Sequence, residues 1–110
     1  MESRLENLLK LQMMFQNKYQ TKLLEKSKNR QMITHTDALL VEAVEVKQEL
    51  NWKSWKALKE IDWEKVKEEI VDEFIFLLNQ CNVAEMDADD LVARTLDKIN
   101  TNIQRQEQGY

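Results

Sequence analysis

Apolar residues recur at intervals of three and four along most of the chain, which is the spacing of one face of an α-helix. The first such segment covers about residues 2–26, from Glu2 to Lys26, and residues 27–31 predict a polar loop. A second helix is predicted from Thr34 to about Leu50, because Thr34 and Asp37 are spaced like a capping box ahead of an apolar run.

Two more helices are predicted after a short turn or helix at residues 51–56. Asp62 is the expected N-cap of the third helix, which ends near Asn82, and Asp87 is the expected N-cap of the fourth. The fourth helix stays apolar on one side as far as Ile103, before a polar tail at residues 104–110. Short connections between four helices predict a single all-α domain over residues 1–110, arranged as an antiparallel four-helix bundle. The generous apolar content predicts burial against a second copy.

Composition narrows the functional class of this 110-residue chain. Proline is absent and glycine occurs once, which argues against a β-sandwich and leaves no Gly-rich phosphate loop. The single cysteine, Cys81, cannot form an internal disulfide, and this favours the cytoplasm. The net charge of −4 disfavours nucleic-acid binding, and no apolar run approaches the ~20 residues that span a bilayer.

Two pairs of acidic residues lie within apolar segments of separate helices. Glu42 and Glu45 are three residues apart on the second helix, and Glu69 and Asp72 are three apart on the third. Acidic pairs in apolar surroundings repel each other and lose hydration unless cations bind. Four carboxylates brought together by antiparallel helices predict a site for Mg²⁺, or for Mn²⁺ as a substitute. The alternative is that these are ordinary solvated helix faces.

Cationic and polar residues elsewhere could bind a polyphosphate beside such a metal site. Lys98, Asn102 and Arg105 share one stripe of the fourth helix with Arg94, and Lys56 follows Trp55 in the connecting segment. Alternatively, the stripe is a solvated basic edge of the helix that binds no ligand. The alternative role of Trp55 is packing in the core or at an interface.

The acidic motifs, with the Trp-Lys-Ser-Trp-Lys segment at residues 52–56, resemble those of the all-α dimeric dUTPases, within the MazG-like nucleotide pyrophosphohydrolase superfamily. Residues 98–110, Lys-x-x-x-Asn-x-x-Arg-Gln-x-x-Gly-Tyr, look like the closing motif of the same family. The pair Leu11-Gln12 is similar to the family's first helix, where a glutamine is associated with base recognition.

The resemblance implies a Mg²⁺-dependent enzyme that converts dUTP to dUMP and pyrophosphate. It implies Glu42, Glu45, Glu69 and Asp72 as metal ligands, with Glu42 also orienting the attacking water. The implied substrate contacts are those of Gln12 with the base, of Asn79 with sugar or base, and of Lys98, Asn102 and Arg105 with the phosphates and sugar. The resemblance places Trp55 and Lys56 near these three residues. It also implies a homodimer, with a tetramer as the alternative.

Two departures from the family pattern concern closure of the site and base selectivity. Val41 stands where the superfamily often has a glutamate, and only residues 81–93 occupy the place of a large insertion. A dCTP-directed or broad house-cleaning pyrophosphatase therefore stays open as an alternative. A helical interaction module without catalysis is the alternative from another functional class.

Overall fold

The computed structural model describes residues 3–109, and every regular element within that part of the chain is an α-helix. The helices are α1 (Arg4–Tyr19), α2 (Thr21–Leu24), α3 (Lys28–Gln48), α4 (Trp63–Val83) and α5 (Ala88–Glu107). The all-α fold predicted from the sequence is confirmed. None of these helices has the length and apolar character that crossing a membrane requires.

The first predicted helix is wrong as a single element, because α1 ends at Tyr19 and a separate turn of helix, α2, follows. The backbone of Gln20 leaves the helical region, with φ −124° and ψ 38°. The Gln16 side-chain amide donates to Gln20 Oε1 at 3.2 Å, so a side-chain bond spans the break. Neither glycine nor proline marks this break in the sequence. Glu2, the predicted start, lies outside the described residues.

The loop predicted at residues 27–31 is also wrong, because α3 begins at Lys28. Ser27 is the N-cap, and its Oγ accepts from the Arg30 N–H at 3.1 Å. Thr34, the predicted start, lies inside the helix, where its hydroxyl donates to the Arg30 carbonyl at 3.0 Å. The helix therefore begins about two turns earlier than the apolar pattern indicates.

The predicted starts of the last two helices are confirmed by their caps. Asp62 accepts from the Lys65 N–H, and Asp87 accepts from the Asp90 N–H. The helix α4 ends at Val83, and α5 continues past Ile103 to Glu107.

The helices α3 and α4 form an antiparallel pair, which is the most extensive packing in the described part of the chain. Lys65 forms an ion pair with Glu49 at 3.3 Å near one end of this pair. The Gln80 side-chain amide donates to the Thr36 hydroxyl at 3.0 Å near the other end. Between these two contacts, Glu42 of α3 lies close to Glu69 and Asp72 of α4.

The helix α1 crosses the C-terminal half of α4, where the core lies. Leu9, Leu78, Cys81 and Ala88 are buried together, and Asn82 donates to the Leu9 carbonyl at 3.1 Å. Only the first turn of α5 joins this core, through Ala88 and Leu91.

The rest of α5 projects from the other helices. All residues from 92 to 109 are exposed. The radius of gyration is 17.4 Å, whereas a compact chain of this length has about 13 Å. The described chain is thus more extended than one compact bundle.

Candidate active site

Three of the four predicted metal ligands come together between α3 and α4. Carboxylate oxygens of Glu42, Glu69 and Asp72 all lie within 4.8 Å of one another. Glu42 and Glu69 are half-buried, and Asp72 is exposed. In the described residues, no lysine or arginine forms an ion pair with any of the three.

Glu45 lies one helical turn from Glu42, exposed and outside this group of three. Its negative charge nevertheless reaches the site, because it contributes to the pKa of Glu42. The structure therefore brings three of the predicted carboxylates together and leaves the fourth at the edge.

Burial and like charge act together on Glu42. Its pKa is raised above the ordinary glutamate value, first by burial and then by the four neighbouring carboxylates of Asp72, Glu69, Glu45 and Glu73. Glu73 is absent from the sequence prediction. Its position four residues after Glu69 places it on the same side of α4, and this spacing could have identified it.

The donor set fits a hard divalent cation. Mg²⁺ binds oxygen at about 2.0–2.1 Å, so ligand oxygens around one ion lie roughly 3–4 Å apart. The three carboxylates need to close by less than about 2 Å to reach that spacing. Glu42, Glu69 and Asp72 could therefore hold Mg²⁺ or Mn²⁺ after small side-chain rotations.

The segment between α3 and α4 gathers aromatic and cationic side chains. The Asn51 amide holds it closed, since it donates to the Lys59 carbonyl at 2.9 Å and accepts from the Lys59 N–H at 3.0 Å. A cavity of about 220 Å³ is lined by Trp52, Lys53 and Lys56, among others. Lys56 therefore faces a recess as well as solvent.

The two tryptophans of this segment differ in their surroundings. The Trp52 ring has the ammonium groups of Lys47 and Lys53 over it at 4.6 and 5.2 Å. Trp55 meets Trp52 edge-on, with ring centroids 6.0 Å apart, and is 73% exposed. Trp55 is thus free to contact a ligand, whereas Trp52 is already covered by lysines.

The predicted base and sugar contacts lie on α1 and α4. Gln12 is half-buried on α1. Asn79 is 1% exposed, and its Oδ1 has no hydrogen-bond partner within the described chain. Asn79 is therefore enclosed in this conformation, and contact with a ligand requires the helices around it to move.

Two further buried polar residues went unrecognised in the sequence. The Gln16 amide lies 3.1 Å from His35 Nε2, and both side chains are 1% exposed. The position of Gln16, one turn after Gln12, is the signal that could have indicated it.

The predicted cationic stripe is present on α5 but away from the carboxylates. Arg94, Lys98, Asn102 and Arg105 line one polar surface of the projecting helix. Arg94 pairs with Asp90 at 2.7 Å, within the same helix. The described chain thus carries anionic and cationic surfaces on different elements. Tyr110, the last residue of the closing motif, lies outside the described residues.

Comparison with known proteins identifies the family. No curated protein and no solved structure matches the chain. A family model described as dUTPase matches residues 4–82, which includes all of α1–α3 and α4 up to Asn82. The matched part contains the three clustered carboxylates and ends before α5. The family predicted from the sequence motifs is confirmed, and the chain belongs to the all-α dUTPase family, whose activity is that of a dUTP diphosphatase.

Proposed function

We propose that this dUTP diphosphatase uses Mg²⁺, held by Glu42, Glu69 and Asp72 with Glu45 completing the ligand set, to hydrolyse dUTP to dUMP and pyrophosphate. Mn²⁺ is the expected substitute. The observation that carries the proposal is the convergence of three carboxylates within 4.8 Å, with no cationic side chain paired to them in the described residues. An all-oxygen donor set of this charge is typical of these two ions.

The bound ion would neutralise the triphosphate and polarise the phosphoryl group that is attacked. Glu42 has a different task in the proposal, which is to accept a hydrogen bond from the attacking water and so orient it. The carboxylate form of Glu42 accepts that hydrogen bond, and a bound cation would favour this form by offsetting the repulsion that raises the pKa of Glu42 in the metal-free protein. No serine, histidine or cysteine is needed as a nucleophile, so the reaction is a direct attack by water.

The remaining predicted contacts bind and orient the nucleotide. We assign the phosphates and sugar to Lys98, Asn102 and Arg105 of α5, and place Lys56 and Trp55 beside them. Gln12 contacts the base in this proposal, and Asn79 contacts sugar or base once the surrounding helices open. The functional unit is a homodimer in the cytoplasm, with a tetramer as the alternative, and residues 1–110 form one domain.

A product assay with matched variants tests the proposal. The purified protein with Mg²⁺ is given dUTP, dCTP, dTTP, dATP, dGTP and UTP separately, and monophosphate and pyrophosphate are measured. We expect preference for dUTP, and a loss of roughly 10²-fold or more in Glu69→Gln, since a ligand carboxylate is removed.

The control is Glu68→Gln, which removes an exposed carboxylate one residue away in the same helix. We expect this variant to keep wild-type activity. Equal activity of both variants would show that the carboxylate cluster has no part in the reaction. Turnover of dCTP or of many nucleotides would show that the enzyme does not select dUTP as proposed.

A further inference from the structure

The overall charge of −4 conceals a basic segment in the first third of the chain. Residues 18–30 contain five of the 16 cationic residues but only one of the 20 acidic residues, Glu25. We call this segment the basic turn, since it runs from the end of α1 through α2 into the first turn of α3. Its cations, all exposed, are Lys18, Lys22, Lys26, Lys28 and Arg30. A local excess of this size attracts anions although the whole chain is acidic.

Most of these cations are not neutralised within the described part of the chain. Only Lys28 forms an ion pair there, with Glu85 at 3.6 Å, and both side chains are largely exposed. An exposed pair of this kind contributes little, so an anion from outside can replace Glu85. The basic turn therefore keeps most of its positive charge for a ligand.

An exposed pair of aromatic rings adjoins the first of these lysines. The ring centroids of Phe15 and Tyr19 are 5.1 Å apart, and the Lys18 ammonium lies 5.2 Å from the centroid of the Tyr19 ring. Tyr19 is 65% exposed and Phe15 is 47% exposed. Positive charge beside exposed aromatic rings suits single-stranded nucleic acid, because its phosphates bind to lysine and its unpaired bases stack on aromatic side chains.

Side-chain hydrogen bonds hold the backbone of the basic turn. The Gln31 amide donates to the carbonyls of Leu24 and Lys26, at 3.2 and 2.8 Å. Ser27 caps α3 by accepting from the Arg30 N–H at 3.1 Å. A backbone that is already held in place lowers the ordering cost when a ligand binds.

The basic turn is remote from the candidate active site. Lys28 begins α3 and Glu42 lies 14 residues later, which corresponds to about 21 Å along the helix. The ion pair between Lys28 and Glu85 places the turn beside the end of α4, whereas Lys65 contacts Glu49 at the opposite end of the α3–α4 pair. A ligand on the basic turn therefore lies well away from the repelling carboxylates of the metal site.

We propose that the basic turn, together with Phe15 and Tyr19, binds single-stranded nucleic acid, with its cations on successive phosphates and a base stacked on Tyr19. The aromatic pair favours this ligand over an acidic protein segment, which would pair with the lysines but has no bases to stack on the rings. The inference does not rest on the proposed metal site, so a failure of dUTP hydrolysis would leave it standing.

Fluorescence anisotropy with labelled oligothymidylate and oligouridylate of about 16 nucleotides tests the proposal. EDTA is present, so that no divalent cation links the strand to the carboxylates. Five cations on phosphates predict a slope of about −3.5 when the logarithm of the association constant is plotted against that of the salt concentration. The affinity should then fall roughly 100-fold between about 50 and 200 mM salt. Binding of either strand supports the proposal, and binding of neither at the lower salt overturns it.

A pair of double variants with the same loss of charge locates the binding surface. Lys22→Gln with Lys26→Gln removes two of the five cations, so the slope should change to about −2.1 and the affinity should fall. The control is Lys65→Gln with Lys67→Gln, which removes two exposed lysines of α4 far from the basic turn. The control should keep the wild-type affinity and slope. Equal weakening of both variants would show that only net charge matters, and would overturn the proposal.

Substitutions of Tyr19 test the stacked base. Tyr19→Ala is expected to lower the affinity about fivefold or more, whereas Tyr19→Phe keeps the ring and should bind as the wild type does. Circular dichroism of each variant verifies its helical fold. Equal affinities of wild type and Tyr19→Ala would contradict the stacking and with it the choice of nucleic acid as the ligand.

The same assay examines the competing surface and the competing ligands. Lys98→Gln with Arg105→Gln removes two cations of α5, and loss of binding in this variant alone would place the strand on α5 and overturn the proposal. Oligoglutamate of matched charge, or vesicles that contain phosphatidylserine, should not displace the strand at equal charge concentration. Displacement by the peptide would indicate an acidic protein partner, and displacement by the vesicles would indicate a membrane surface. Either result would overturn the proposal.

Discussion

Single residues at the ends and centres of the helices lower the stability of the protein in ways that the helical pattern does not reveal. Glu85 is one of them, because it adopts a left-handed conformation with φ 60° just after α4. The Met86 N–H donates to the Cys81 carbonyl at 2.9 Å and the Glu85 N–H to the Asn82 carbonyl at 3.2 Å, which is the Schellman arrangement. Glycine is the residue that this position favours.

Glu85→Gly is therefore expected to stabilise the protein by about 0.5–1 kcal/mol. The variant loses an ion pair with Lys28, but both side chains are largely exposed and such a pair contributes little. Urea denaturation of the two proteins side by side measures the difference. Glu85→Ala is the control, since it removes the same ion pair and keeps the Cβ strain, and it should not be more stable than the wild type.

His35 makes the free energy of unfolding depend on pH. Burial lowers the pKa of His35 below its usual value of 6.5. The nearby amide of Gln16 donates to His35 Nε2, which requires the neutral ring. Below about pH 6.5 the unfolded chain takes up a proton that the folded chain does not, so this group makes the free energy of unfolding fall as the pH falls.

We expect His35→Gln to remove this contribution. The measurement is the melting temperature of both proteins between pH 7.5 and pH 5.5, in the absence of divalent cations. As the pH falls, the melting temperature of the wild type should decrease more than that of the variant. Parallel curves would show that His35 does not contribute to the pH dependence.

At the scale of elements, carboxylates of α3 and α4 repel one another in the middle of this antiparallel pair, whereas favourable contacts join the two helices near its ends. The Lys65–Glu49 ion pair and the Gln80–Thr36 hydrogen bond hold the ends. Glu42, Glu69 and Asp72 repel one another between them. The pair is thus held in register by the contacts on either side of the proposed metal site.

Replacing Glu42 by Gln should stabilise the metal-free protein, because it removes one of the repelling charges. The same variant should respond less to Mg²⁺, whereas an ion at about 100 times its dissociation constant adds about 2.7 kcal/mol to wild-type stability. Thermal melts with EDTA and with Mg²⁺ measure both effects. Glu68→Gln should behave as the wild type in both conditions, and equal Mg²⁺ responses of all three proteins would contradict the proposed ligand set.

The sequence predicted the elements whose ends carry a strong local signal. Asp62 and Asp87 precede regular apolar runs, so the starts of α4 and α5 could be read directly. The start of α3 could not, because its first two turns are polar and are stabilised by the Ser27 cap. The break at Gln20 is accompanied by a side-chain bond with Gln16, and no local composition marks it.

The same distinction applies to the site. The spacing of three residues places Glu69 and Asp72 on one side of α4, and both meet Glu42 as predicted, whereas Glu45 has the same spacing from Glu42 and lies outside the group. The position of α5 was not predictable, because an amphipathic helix specifies which face is buried and not which molecule covers it. The enclosure of Asn79 and His35 likewise depends on how α1 and α3 lie against α4.

At the scale of the whole molecule, the chain buries few apolar side chains for its length. The fully buried ones in the described part are Leu9, Val66, Leu78, Cys81 and Ala88. Large apolar residues stay exposed on α1, α3, α4 and α5. A core of this size gives little stability to a single chain, and association would bury the exposed faces.

The melting temperature should therefore rise with protein concentration. For a dimer that unfolds as it dissociates, each tenfold increase in concentration adds about 1.4 kcal/mol to apparent stability, which corresponds to several degrees for a domain of this size. Thermal melts from 1 to 100 μM, as round working values for the assay, measure the trend. A melting temperature independent of concentration would show that a single chain is the folded unit.

Cys81 gives this architecture a chemical reporter of its own. It is the one thiol of the chain, and it lies buried where α1, α4 and the first turn of α5 meet. Burial also raises its pKa, so the reactive thiolate is scarce while the core is closed. An alkylating reagent can reach it only when the packing between α1, α4 and the first turn of α5 opens. The rate of labelling at this position therefore reports how often this part of the core opens, and the protein needs no added probe.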